Sequence, residues 1–247
     1  MPESQHLMTM RQLPLDLQFL TSQGREDFII GESNRLAATM IDRWPDWPGQ
    51  FRVLNLVGPP ASGKSHLAAI WREQSGARHL RDLMNWSGPD EGTHYSLELP
   101  APGTDWPDEA LFHLVNWTGE GEASLLILSH EPVSGLPWRL PDLKSRLRSI
   151  NLARLDRPDD ALLCRLLEKY FADRQLAVGR EVVDYMVGRM ERSFLAVQTI
   201  AAAMDRRSLA QRRSLTLPLA REIMAEFADG VHSRQSALPT GIDEKEK

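Results

Sequence analysis

The chain has 247 residues, enough for one α/β domain with a small helical appendage. Hydrophobic residues make up 42% and charged residues 26%, a balance that is typical of folded domains and excludes a largely disordered chain. The formal net charge of -5 argues against a protein whose sole role is nucleic-acid binding, although it leaves room for a local basic face.

Cysteine content and hydropathy indicate the cellular compartment of the protein. Cys164 is the only cysteine, so no internal disulfide or cysteine-rich metal site can form, as is typical of a reducing compartment. Nowhere do about eighteen apolar residues follow one another, and the start lacks the pattern of a secretory signal. The sequence therefore predicts a cytoplasmic protein without a membrane partner.

The first part of the chain divides into an arm and the start of a globular domain. Residues 1–24 are polar except for Gln12-Leu13-Pro14-Leu15-Asp16-Leu17, and we expect a flexible arm there. Residues 32–41 are predicted as a helix whose apolar face is Leu36, Met40 and Ile41. An apolar run over residues 51–57 then predicts a strand.

Strands and helices alternate through the rest of residues 25–156. Further strands are predicted near residues 77–80, 95–99 and 124–128, with helices from 65 to 73 and from 108 to 118. This alternation predicts an α/β fold, with a parallel sheet and flanking helices.

Residues 157–230 have the apolar periodicity of helices. Helices are predicted over 159–174, 180–192 and 194–207, and Pro158 marks the boundary with the α/β core. Cys164 falls in an apolar helical pattern and is predicted to be buried. The sequence thus predicts a small all-helical lid, followed by a disordered tail over residues 231–247.

A phosphate-binding spacing joins the first predicted strand to the next helix, in the segment Gly58-Pro59-Pro60-Ala61-Ser62-Gly63-Lys64-Ser65-His66. The two glycines let the backbone turn so that N–H groups point at phosphate oxygens, and Lys64 adds charge at the outer phosphates. Ser65 would bind Mg²⁺ where that ion accompanies the nucleotide. A chance match in a surface loop is the alternative, which the flanking strand and helix disfavour. The segment therefore predicts binding of ATP or ADP.

Three segments together resemble the DnaA-type AAA+ domain. They are Asp27 to Ala37 with the P-loop after it, Leu140-Pro-Asp-Leu-Lys-Ser-Arg146-Leu, and Ser214 to Ile223. The resemblance covers roughly residues 10 to 228 and implies an AAA+ P-loop core followed by a lid. A DnaA initiator would continue into a helix-turn-helix domain, whereas this sequence stops at the lid, which points to the Hda branch.

The resemblance to Hda-type proteins implies a function. Such regulators join the sliding clamp of DNA polymerase III and promote hydrolysis of the ATP bound to DnaA, so DnaA and the clamp are the expected partners. Self-association is a further expectation, and contact with DNA is expected to be indirect. ADP is implied as the bound nucleotide.

The insert in the arm resembles the clamp-binding peptide of these regulators. Gln12 would hydrogen-bond in a groove, while Leu13, Leu15 and Leu17 supply apolar side chains for a pocket. The alternative is that the leucines attach the arm to its own domain. The polar surroundings of the insert favour clamp binding.

Arg146 matches the family's arginine finger. A guanidinium at a neighbour's γ-phosphate stabilises the charge that develops during phosphoryl transfer. The alternative is a solvated basic face formed with Lys144 and Arg148, which spacing alone would favour. The match to the motif reverses that preference, and Arg146 would act in trans on nucleotide held by DnaA.

The sequence departs from the family where hydrolysis in cis would be organised. Between Tyr95 and Asp105 prolines and small residues replace the expected paired acids, and Glu98 is the only acid in the strand, where a solvent-facing role is an equal alternative. The sensor-2 arginine would fall near Leu195, so Arg192 either substitutes for it or forms a surface ion pair. Ser129 is the sensor-1 candidate. Little intrinsic ATPase activity is predicted.

Three other interpretations stay open at this point. The chain could be a P-loop ATPase or kinase with its own substrate, against which the missing acids count. It could be a helicase-loader-like DNA-binding factor, which the net charge of -5 disfavours. It could also be a divergent paralogue that has lost DnaA regulation.

Overall fold

A computed structural model describes residues 24–84, 86–88, 90, 93–99, 107–120 and 123–235, without the side chains of 120 and 229–235. Five parallel strands form one sheet in the order β2-β3-β4-β1-β5. The strands are β1 Val53–Val57, β2 Arg78–Leu80, β3 Tyr95–Glu98, β4 Leu125–Ser129 and β5 Asn151–Arg154. Central β1 pairs with β4 from Val53 opposite Leu125, and with β5 from Leu54 opposite Asn151.

Helices cover both faces of this sheet, as a parallel sheet requires. Successive residues of β1 and β4 face opposite sides of the sheet. Val53 and Ile127 pack under the helices over residues 108–120 and 141–147, whereas Leu54 and Leu126 pack under the helices over residues 35–42 and 64–75. The core helices are α1 Arg35–Asp42, α2 Lys64–Ser75, α3 Asp108–Glu120 and α4 Pro141–Leu147, with 3-10 turns at Arg25–Asp27, Glu32–Asn34 and Val133–Gly135.

A separate helical cluster follows the sheet. It consists of α5 Asp160–Asp173, α6 Arg180–Val187, α7 Phe194–Gln211 and α8 Leu217–Gln235. The Asp159 carboxylate accepts a hydrogen bond from the Leu162 N–H and begins α5, and Ser193 Oγ accepts from the Ala196 N–H and begins α7. Phe171 is fully buried at the centre of the four helices. The predicted architecture, a parallel α/β core followed by an all-helical lid, is confirmed.

Several local predictions need correction. The first helix begins at Arg35 and buries Ala37, Ala38 and Ile41, while Leu36, predicted to face the core, is 59% exposed. The α6 helix ends at Val187 and not at residue 192, because the chain turns at Gly188. The last helix continues to Gln235, past residue 230 where the lid was expected to end. Cys164 is buried in the lid core, as predicted.

Within the described residues, the helices are too short or too polar to cross a lipid bilayer.

His94 links the connection after α1 to the start of β4. Its Nδ1 accepts a hydrogen bond from the Ser124 N–H at 3.0 Å, and its ring lies edge-on to Trp44, whose Nε1 donates to Ser124 Oγ at 3.1 Å. Burial lowers the pKa of His94, and the positive charge of Arg52 lowers it further. The neutral imidazole is therefore the form that the fold holds.

This depressed pKa predicts loss of stability on mild acidification. An unfolded histidine titrates near about 6.5. The contribution of His94 is complete above that pH and is lost as the pH falls from about 6.5 toward the folded pKa. By pH 5.5 the loss reaches at most about 1.4 kcal/mol. Urea unfolding at pH 7.5 and 5.5 should show a smaller pH dependence in His94→Gln than in wild type. The same substitution at exposed His113 is the control, and equal behaviour of the two variants would contradict the assignment.

Candidate functional site

The predicted P-loop lies at the carboxyl edge of the sheet, directly after the central strand. The Gly58 N–H donates to the Ser129 carbonyl at 3.2 Å, and the Leu155 N–H donates to the Val57 carbonyl at 2.7 Å. The loop is therefore held between the ends of β4 and β5. Because all strands run parallel, the residues that follow them lie at the same edge of the sheet as this loop.

Glycine is required at the start of the loop. A Cβ on Gly58 would lie 2.5 Å from the Leu155 carbonyl oxygen and 2.7 Å from Ser62 Oγ, so no larger residue fits. Gly63 has φ +97°, in the left-handed region that glycine favours, and it precedes the first residue of α2. The backbone thus forms a tight cradle at a helix N-terminus, which fits a phosphate group.

Lys64 turns back across this cradle. Its Nζ donates to the Gly58 and Pro59 carbonyl oxygens at 2.7 and 2.8 Å. Burial lowers the pKa of the Lys64 ammonium, and the negative charge of Glu98 opposes that shift. Ser65 is exposed in the first turn of α2, while His66 is half-buried with its ring edge-on to Phe28 at 5.3 Å. A cation and an exposed hydroxyl therefore border the loop.

Glu98 ends β3 at the same edge. It is exposed, and its charge reaches Lys64. Residues 100–106, which follow β3 and belong to the segment where paired acids are expected, lie outside the described residues. Within the described part of β3, Glu98 is the only acid.

Ser129, the sensor-1 candidate, ends β4 beside the P-loop and is buried. Its hydroxyl donates to the Glu131 carbonyl at 2.7 Å and accepts from Asn55 Nδ2 at 2.9 Å. The Asn55 amide also donates to the Ile127 carbonyl and accepts from the Val133 N–H. Ser129 is thus part of a buried network that joins β1 to β4 and to the turn after it.

The lid approaches the P-loop through the start of α7. The Phe194 N–H donates to the Ala61 carbonyl at 3.2 Å, and a Cβ on Gly63 would be 3.6 Å from the Phe194 ring. Ala61 has φ +54°, which turns its carbonyl toward the lid. One direct backbone hydrogen bond therefore connects the predicted nucleotide loop to the lid.

A cavity of about 160 Å³ lies at this junction, lined by P-loop residues and by Arg157, Pro158, Glu191 and Arg192. Arg192 binds the Asp160 carboxylate through Nη2 at 2.7 Å and Nε at 3.1 Å. Leu195, where the sensor-2 position was expected, is 60% exposed. The charged residues that line the cavity on the lid side are therefore Arg157, Glu191 and Arg192. Arg157 was not predicted as a site residue. The one indication in the sequence is its place directly before Pro158, at the predicted boundary between core and lid.

Arg146 lies at the opposite edge of the sheet. It is near the end of α4, and the chain then enters β5 at Asn151, which pairs with Leu54 at the amino end of β1. Its guanidinium carbon is 5.4 Å from the Phe51 ring centre and 5.1 Å from the Phe112 ring centre. Asp108 accepts hydrogen bonds from the Arg139 and Leu140 N–H groups and so fixes the start of α4. The half-buried Arg146 side chain is held on an aromatic surface far from its own P-loop.

The structure thus brings together the P-loop, Glu98, Ser129 and Arg192, and it separates Arg146 from them. Gln12, Leu13, Leu15 and Leu17 lie outside the described residues.

Comparison with known proteins finds sequence similarity in the helical part of the chain. Residues 160–224 match the family model for the Hda lid domain. An uncharacterized protein of Haemophilus influenzae is 28% identical over 123 residues, covering 49% of this chain and 53% of that protein. The chain thus spans about half the length of this curated relative.

Solved structures resemble most of the chain. Domain III of the Thermotoga maritima replication initiation protein DnaA has a TM-score of 0.65 at 17% identity, covering 84% of this chain and 97% of that one. AMPPCP-bound DnaA from Aquifex aeolicus has a TM-score of 0.60 at 18% identity, with 77% and 67% covered. The Thermotoga maritima RuvB Holliday junction branch migration motor has a TM-score of 0.60 at 13% identity, with 79% and 69% covered. The chain therefore has an AAA+ fold like that of DnaA domain III, and residues 160–224 of its helical lid match the model of the Hda lid domain.

Proposed function

We propose that this protein is a DnaA-related regulator of replication initiation, which binds an adenine nucleotide and supplies Arg146 to the ATP site of DnaA. The Hda-type lid on a DnaA-like AAA+ core supports the regulator role. The observation that carries the trans mechanism is the position of Arg146 at the sheet edge opposite the P-loop.

The distance across the sheet explains why Arg146 would act on a neighbour. Five residues of β1 separate the two edges, which is about 16 Å at the rise of a parallel strand. An arginine side chain cannot span that distance through the packed core to reach its own P-loop. A neighbouring AAA+ subunit that docks its carboxyl edge against this amino edge would receive the guanidinium at its nucleotide. This is a head-to-tail contact.

The two phenylalanine rings suit Arg146 to this role. A guanidinium over aromatic faces gains about 0.5–1 kcal/mol per contact at exposed sites. That is enough to hold the side chain near the surface, and little enough that a γ-phosphate would outcompete it. The charge that develops on the transferred phosphoryl group would then be stabilised by a cation held in place before docking.

The protein's own P-loop would hold ADP or ATP as a structural ligand. The N–H groups after Gly58 would face the phosphates, Lys64 would leave the loop carbonyls for them, and Ser65 would bind an accompanying Mg²⁺. Bound nucleotide supplies negative charge between the core and Arg157 and Arg192 of the lid junction. With Glu98 as the single acid of β3, we propose no effective hydrolysis in cis.

The N-terminal arm would attach the protein to the sliding clamp. In the cytoplasm, Gln12, Leu13, Leu15 and Leu17 would bind the sliding clamp and so concentrate the protein near clamp-loaded DNA. This step has its support in the sequence of residues 12–17.

Nucleotide binding is tested by Lys64→Ala. Loss of charge-assisted hydrogen bonds to phosphate should weaken ADP affinity about 10- to 100-fold in isothermal titration. Saturating ADP, at 100 times its Kd, should stabilise wild type by about 2.7 kcal/mol and raise its Tm by about 5–10 °C. Lys64→Ala should lose this increase in stability and Tm at the same ADP concentration. Lys144→Ala, on α4 at the other edge, is the control. If Lys64→Ala keeps wild-type affinity, the P-loop assignment is wrong.

The regulatory step is tested by hydrolysis of DnaA-bound ATP with clamp loaded on DNA. Wild type should accelerate it, and Arg146→Ala should remove most of the acceleration, because an arginine finger contributes up to about 10³-fold or more. Arg148→Ala, which is exposed on the same helix end, should behave as wild type.

Two further measurements test clamp binding and hydrolysis by the protein alone. Gln12→Ala should lose acceleration when the clamp is limiting and regain it at high protein concentration, whereas Arg146→Ala should not. The protein alone should release phosphate far more slowly than about one per second, a typical low enzymatic turnover. Absence of any acceleration by wild type would refute the regulator role, and rapid turnover by the protein alone would favour an ATPase.

A further inference from the structure

The end of α7 carries a dense group of arginines. Residues 206–213 contain four arginines and no acidic residue, in a chain whose net charge is -5. Arg206 lies within the last two turns of α7, and Arg212 and Arg213 begin the connection to α8. We refer to Arg206, Arg212 and Arg213 as the lid-tip arginines.

Two acids near the end of α7 are already paired with other arginines. Asp205 lies 3.4 Å from Arg174, and Glu226 lies 2.6 Å from Arg207. Among the described residues, no carboxylate pairs with a lid-tip arginine, and all three side chains are exposed. Three unneutralised guanidinium groups therefore face solvent from one end of the lid.

Hydrogen bonds fix the backbone that carries these groups. The Arg213 N–H donates to the Ser208 carbonyl at 3.1 Å, and Ser208 Oγ donates back to the Arg213 carbonyl. Arg212 adopts a left-handed conformation at φ +51° and caps α7. The lid-tip arginines are thus held on a rigid turn, which lowers the entropy lost when they bind a ligand.

We infer that the lid-tip arginines bind the phosphate backbone of duplex DNA. The helix rises about 7.5 Å from position 206 to its last residue, Gln211, and each strand of duplex DNA presents about two phosphates over that length of its axis. Guanidinium forks match phosphate oxygens in pairs. The exposed Gln211 and Ser214 beside them are side chains of the kind that donate to phosphates. The negative net charge of the protein would favour DNA at this basic end over the acidic parts of the surface.

This surface is separate from the nucleotide site. Phe194 at the start of α7 contacts the P-loop, and the length of α7 places the lid-tip arginines about 18 to 27 Å away from it. DNA binding here rests neither on nucleotide binding nor on Arg146, so the two proposals can fail independently.

The test is fluorescence anisotropy with a labelled 30-base-pair duplex and the full chain. Affinity should fall as salt rises, and the triple variant R206Q/R212Q/R213Q should have a log–log salt slope smaller by about 2.7, for three phosphate contacts. Equivalently, wild type should lose about 40-fold more affinity than the variant between 50 and 200 mM salt. Glutamine keeps side-chain length, and matched thermal unfolding of the two proteins checks the fold.

The control removes the same charge elsewhere. R35Q/R78Q/R180Q replaces exposed arginines that pair with Glu32, Asp90 and Asp184, and it should keep the wild-type slope. Leu209→Ala distinguishes an acidic protein partner, because Leu209 is 66% exposed beside the arginines and an apolar protein contact would use it. The inference is overturned if wild type and R206Q/R212Q/R213Q have equal salt slopes, or if both triple variants lose the same affinity for DNA. It is also overturned if polyglutamate displaces DNA from the protein and Leu209→Ala weakens binding further.

Discussion

The direction of the central strand governs the arrangement of this molecule. β1 is buried on both faces between β4 and β5, and all the strands run parallel. Parallel strands send every following loop to one edge and receive every preceding helix at the other. The P-loop, Glu98, Ser129 and the start of the lid are therefore together, while Phe51 and the end of α4 are together on the far side.

This polarity gives the two candidate sites different requirements. The carboxyl edge has a cradle, a cation and a lid within a single subunit, so the proposed nucleotide binding would need no partner. The amino edge has a positioned guanidinium and no P-loop, so any role for Arg146 in phosphate chemistry needs a second AAA+ subunit. Asp108 and the two phenylalanine rings stabilise the Arg146 site without any contact to the first one.

The features that the sequence predicts well are those set by local pattern. The strand at 124–128 and the P-loop depend on an unbroken apolar run and on glycines at fixed spacing. Leu36 was misassigned because α1 has only eight residues, and small Ala37 and Ala38 fill the narrow space against the sheet. The two rings beside Arg146 were not predictable, since Phe51 and Phe112 are distant in sequence and come near Arg146 only when α3 packs against α4 and β4.

The contrast between Arg192 and Leu195 shows how tertiary geometry decides a site. Arg192 lies ahead of α7, whereas Leu195 is in its first turn and is 60% exposed, so the two positions have different surroundings although only three residues separate them. Ser193 caps α7, and the Phe194 N–H binds the Ala61 carbonyl, which fixes the rotation of the helix start against the loop.

Arg192 then precedes the helix, where it binds Asp160 at the start of α5 and lines the cavity at the junction. Nucleotide phosphates entering that cavity would add negative charge beside Arg192 and Arg157, and would do so only with the lid in this position. A P-loop with a single acid on β3 therefore still has a physical role. The free energy of nucleotide binding would hold core and lid in one relative orientation, and with them the edge from which Arg146 is presented.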